Sequence, residues 1–164
     1  MLFEALDVLQ PHTDLLLLDR GYIGNMMVAA LAQREIHFCL RVDTRGWTCV
    51  KEFAHSGQAE RIVTLPAPNS DDARDYELTR TPTTVRLIRD VTPSGRVRVL
   101  MTSLLDGQRY PAVTFRRNGA RHFRRNDATG NEQIEGSNGD QGCLILPPFA
   151  SSVLNVSTPG FSPR

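Results

Sequence analysis

The chain has 164 residues, 40% of them hydrophobic and 23% charged, with a formal net charge of +1. That length suits one domain with a real core, and the balance of apolar and charged residues excludes an intrinsically disordered chain. No run approaches the roughly 18 apolar residues of a membrane span, and a charge so near neutral carries no nucleic-acid signature of its own. The first residues, Met1-Leu2-Phe3-Glu4, lack the basic stretch that opens a signal peptide. A cytoplasmic location with no membrane partner is therefore expected.

In chain order, Leu2 to Leu9 spaces its apolar residues at helical intervals and is closed by Pro11. Asp14 to Leu18 is predicted to be a strand, Ile23 to Arg34 a helix, and Ile36 to Val42 a second strand. Strand, helix and strand in so few residues predict a parallel βαβ unit. Thr44-Arg45-Gly46-Trp47 is a turn and Val50 to Ala54 a short apolar piece. Arg61 to Leu65 fits a strand, and Pro66 to Asp75, rich in Pro, Asn, Ser and Asp, reads as a loop. Thr83 to Val91 and Arg96 to Leu104 flank Thr92-Pro93-Ser94-Gly95, a turn with proline early and glycine late, which predicts an antiparallel hairpin. Gln108 opens a helix with Pro111 in its first turn. Asn118 to Gly142 is polar and aperiodic, and Ser151 to Arg164 is mostly Ser, Pro, Val and Thr, so 118–164 is expected to be a low-order tail. The predicted class is α/β, with a β-rich segment over 43–107.

Cys39, Cys49 and Cys143 are widely spaced and form neither a zinc pattern nor a disulfide framework. Lys51 is the only lysine, so the cations are almost all arginine. A GC-rich genome accounts for that, and phosphate recognition by the planar guanidinium is the functional alternative. Arg86, Arg89, Arg96 and Arg98 all fall on the hairpin, with Arg96 and Arg98 on one side by strand alternation. They read either as a solvated face with cross-strand charge pairs, Asp90 among them, or as contacts to a DNA phosphate backbone.

The run Leu15-Leu16-Leu17-Leu18 has no polar alternation, as expected of a strand buried on both faces. It stops at Asp19, leaving a carboxylate at the carboxyl end of a strand, where ligands and ions gather in open α/β sheets. Such an acid suits Mg²⁺; equally, it could cap the following helix. Leu15 to Tyr22, followed by Leu31 and Phe38-Cys39-Leu40-Arg41-Val42, resembles the DDE-type insertion-sequence transposases that carry a Tyr-Arg-Glu-Lys signature. The resemblance extends through Val85 to Arg89, Val97 to Leu104 and Tyr110-Pro111, and ends after Arg117.

The resemblance implies a ribonuclease H-like core in which Asp19 is the second of three metal-binding acids. Arg20, Gly21 and Tyr22 complete its motif, and Arg41 is the family's strand arginine; Arg41 reads as a DNA contact or a strand-terminal surface residue, and Arg20 as a phosphate contact or a partner of Asp14 or Glu35. It also implies Mg²⁺ as cofactor, and transposon-end DNA and an intact transposase as partners. Chemistry of that kind uses two metal ions roughly 3.5–4 Å apart, which one aspartate cannot hold. No Tyr-x-x-Arg-x-x-x-Glu follows Pro111, and Glu132 and Glu135 lie outside the pattern. The expectation is therefore an internal, catalytically inactive piece of a transposase, with a frameshift or recombination near Arg117. The alternatives are a DNA-binding remnant that interferes with an intact transposase, and an inert α/β fragment.

Overall fold

In a computed structural model the described residues are 6, 9–18, 24–44, 46–115 and 153–156. They form a mixed α/β arrangement around one twisted sheet. The strands are β1 (Leu15–Leu18), β2 (His37–Val42), β3 (Glu60–Leu65), β4 (Thr83–Val91), β5 (Val97–Thr102) and β6 (Val153–Val156). The helices are α1 (Asn25–Gln33), α2 (Thr48–His55) and α3 (Ser70–Asp75), and a further helical turn covers 112–115.

The sheet order is β3-β4-β5-β2-β1-β6. β1 and β2 are parallel neighbours, with Leu15 opposite His37 and Leu18 opposite Leu40, so the expected βαβ unit is present. The expected hairpin is present too, with β4 and β5 antiparallel and Arg86 opposite Thr102. Gly95 sits at φ +78°, a left-handed conformation that residues with a Cβ rarely adopt. Its N–H reaches the Thr92 carbonyl at 2.9 Å and closes the turn. β5 also pairs antiparallel with β2, so the hairpin and the βαβ unit share one sheet.

Alternation along these strands gives the sheet two different faces. Leu16, Leu18, Phe38, Leu40, Val85, Leu87, Val99 and Met101 point to one face, under Met27, Val28 and Leu31 of α1 and Val50 and Phe53 of α2. Leu15, Cys39, Ile88 and Leu100 point to the other, where Leu104, Tyr110 and Phe115 cover them. This second face also carries buried polar groups: Arg41, Arg86, Asp90 and Thr102 are each at most 7% exposed.

The short apolar piece at Val50 to Ala54 is part of helix α2. Two expectations need correction. Ser70–Asp75, read as loop, is helix α3, because the Asn69 side chain accepts the Asp72 N–H as an N-cap and Asp71 and Asp72 favour the positive end of the helix. Ala73 of α3 then packs on Ala29 and Ala30 of α1. The tail is not uniformly without regular structure, since Val153–Val156 pairs in parallel with β1. Valine-rich backbone suits a strand, and β1 would otherwise leave a row of unpaired backbone groups at the sheet edge. The rest of 118–164 lies outside the described residues, as does most of the helix expected over 2–9.

Candidate functional site

Asp19, Arg20, Gly21 and Tyr22, the centre of the expected motif, lie outside the described residues. The described chain reaches Leu18, the last residue of β1, and resumes at Gly24 before α1. Among the described residues no group of three His, Cys, Asp or Glu side chains is placed to hold a metal ion.

The arginines are better defined. Arg41, Arg96 and Arg98 line one small cleft together with Val42, Asp43, Thr44, Val97 and Val99. The cleft lies at the carboxyl end of β2, the end at which its parallel neighbour β1 also finishes. Strand geometry explains the convergence. Arg41 stands opposite Leu100 in the β2–β5 ladder, so Arg98, two residues before Leu100, shares its face. Arg96 belongs to the same side at the mouth of the hairpin turn, its N–H held by the Thr92 hydroxyl at 3.0 Å.

Burial differs sharply among the three. Arg41 is 4% exposed, which counts against it both as a strand-terminal surface residue and as a direct DNA contact. Arg98 is half-buried and Arg96 exposed. Arg98 stands directly across from Asp90 in the β4–β5 ladder. The lining holds three guanidinium groups and the Asp43 carboxylate, an excess of two positive charges. At about 80 Å³ the cleft is well below the roughly 300 Å³ at which small-molecule pockets begin, so a single phosphate-sized group fits it better than a nucleoside.

Two other hairpin arginines are placed elsewhere. Arg89 stands opposite Val99 and so belongs to the helix-covered face. Arg86 is 2% exposed and forms an ion pair with Glu60, which removes it from any surface that DNA could touch. Sequence reasoning missed Glu60 as its partner. The signal was a residue-type pattern only, a charged residue opening a strand that pairs with the arginine-bearing one.

The remaining candidates have ordinary structural roles. Trp47 donates its indole N–H to Asn25 Oδ1 at 2.6 Å and packs on the helix-covered core. Burial pushes the Cys39 thiol up to about 12, so it is a protonated, unreactive core group. His37 is held below its ordinary value by burial, then by His12 and Arg109. Among the described residues no helix is long and apolar enough to cross a membrane. Compared with protein-family models, characterised proteins and solved structures, the chain matches none.

Proposed function

We propose that this chain is part of the ribonuclease H-like core of a DDE-type insertion-sequence transposase, and that as it stands it engages the DNA backbone without cutting it. The observation that carries this reading is the meeting of exposed Arg96 and half-buried Arg98, with buried Arg41 behind them, at the sheet end where β1 delivers the chain to Asp19. Guanidinium groups suit phosphate oxygens because their planar donors match the geometry of the anion. Contacts of that type position a duplex and do not read its sequence. Asp19 is the one acid of three that fits the family pattern, so Mg²⁺-dependent cleavage and strand transfer belong to the parent enzyme. In a cell the chain would act on an intact transposase by competing for transposon ends or by forming mixed oligomers.

A mixed-sequence duplex titrated against salt tests the DNA half of this proposal. Binding is expected, with affinity falling as salt rises, and Arg96→Ala should lower the slope by about one unit while leaving stability within roughly 0.5 kcal/mol. No binding at low salt overturns it. A strand-transfer assay with Mg²⁺ or Mn²⁺ on transposon-end DNA tests the other half. No joining is expected, and robust joining that disappears in Asp19→Asn overturns the claim of inactivity. A second reading, an α/β domain with no DNA contact, is favoured by Asp90 standing directly across from Arg98, where it competes with phosphate for that guanidinium.

A further inference from the structure

Arg86 lies in the middle of β4, yet the strand ladder has no need of its side chain, because β4 pairs with β3 and β5 through the backbone. The side chain is among the largest fully buried ones, at 2% exposure. An arginine stays charged in any protein interior, so its N–H groups must find acceptors wherever it is buried. The acceptors here come from two directions. Towards β3, Arg86 Nε donates to Glu60 Oε2 at 3.1 Å, and Nη2 also reaches that carboxylate. Towards the segment after β5, Nη1 donates to the Tyr110 carbonyl at 2.7 Å and more weakly to that of Leu104 at 3.5 Å. The guanidinium carbon also stands 6.0 Å from the centre of the Phe115 ring.

The segment is shaped to present those acceptors. The Asp106 carboxylate takes the N–H groups of Gln108 at 2.9 Å and Arg109 at 3.0 Å, and these bonds hold its carboxyl below the ordinary value. The Asp106 carbonyl takes the Tyr110 N–H at 2.9 Å, which folds the turn back onto the sheet. Gly107 passes so close that a Cβ there would lie 3.2 Å from Arg86 Nη2 and 3.3 Å from Glu60 Oε1. Leu104, Tyr110 and Phe115 meanwhile bury themselves on Leu15, Cys39, Ile88 and Leu100.

We propose that Arg86 is a positioning residue: its buried guanidinium, oriented by Glu60, docks residues 104–115 on the second face of the sheet and so sets where the helix after Pro111 begins. The docking rests on these contacts alone. Its importance for catalysis rests on the transposition reading, in which that helix leads towards the third acid of the parent enzyme. The arginine is thus the link by which the β-rich segment and the helix start hold one relative placement.

Amide exchange on the full chain tests the docking. In Arg86→Met the hydrogen-bonded amides of Leu104, Tyr110 and Thr114 should exchange roughly tenfold faster, as expected for the loss of buried hydrogen bonds. The amides of Val85, Leu87, Val99 and Met101 should stay protected. Arg86→Lys, which keeps the charge but loses the planar fork, should rescue part of the difference. Should Arg86→Met not fold, Glu60→Gln at the half-exposed partner carries the test. It should speed the same three amides and remove the slowly exchanging Arg86 Nε–H signal in NMR spectra. Equal acceleration across the sheet, or no change over 104–115, overturns the proposal. DNA affinity of the unaltered chain is a separate readout, so loss of the transposition reading and loss of the docking are told apart.

Discussion

The two faces of the sheet come from the same strands and are stabilised in different ways. On the helix-covered face, apolar side chains of β1, β2, β4 and β5 meet α1 and α2, and what holds them is burial, which has no preferred direction. On the other face the apolar residues alternate with Arg41, Arg86, Asp90 and Thr102, which are buried and need partners at defined angles. The first face should therefore tolerate changes of shape that keep volume. The second should respond to changes that keep volume and lose a hydrogen bond. The comparison also explains why candidate functional groups collect on one side, since buried charge is costly and is kept only where geometry supplies partners.

The largest effect should come from the helix-covered face. Phe53, fully buried under the sheet, fills the space between α2 and the strands. Phe53→Ala should cost about 3–5 kcal/mol in denaturant unfolding, and a loss below 1 kcal/mol would mean that α2 does not pack as described. On the polar face, the Thr102 hydroxyl donates to the Phe38 carbonyl at 2.6 Å and accepts the Leu104 N–H at 3.2 Å. Thr102→Val keeps the shape and removes both bonds, so a loss of about 1–3 kcal/mol is expected. A neutral result would make the polar face no more demanding than the apolar one.

A smaller change should follow in the turn that joins the two hairpin strands. Gly95→Ala forces a Cβ into the left-handed region at φ +78° and should cost about 1–2 kcal/mol, although nothing crowds the position. Acidification should act more weakly still. Because the folded state keeps His37 below its ordinary value of 6.5, the unfolded chain binds more protons in that window. The contribution is unaffected above about pH 6.5 and declines as the pH falls from there towards the folded value. His37→Gln should flatten that part of the stability profile, and an unchanged profile would remove His37 as its cause. At the bottom of the scale, Cys39 should not react with a thiol reagent until the chain is unfolded, because its thiol sits near 12.

Much of this arrangement was legible in the sequence. Four consecutive leucines marked β1 as a strand buried on both sides, and Leu15, Leu16 and Leu18 are at most 2% exposed. Thr92-Pro93-Ser94-Gly95 marked the hairpin, because proline and glycine restrict backbone angles locally. Helix α3 was missed because its six residues have no apolar period, and its cap at Asn69 is a single-residue signal inside a loop-like composition. Strand β6 was missed because four residues in a polar tail carry too little pattern to stand out, and its pairing partner lies far away in sequence.

By itself, the sequence determined which stretches of the described core become strands or helices, since periodicity and turn chemistry act over a few residues. It also placed Arg96 and Arg98 on one side of the hairpin. Only the tertiary structure decided what each arginine does. Arg41 and Arg98 meet because β2 pairs with β5 in one particular register, and Arg86 turns inward because Glu60 and the Tyr110 carbonyl wait on opposite sides of it. A guanidinium has the same chemistry at every position in a chain, and its role is set by the acceptors that distant segments bring within about 3 Å.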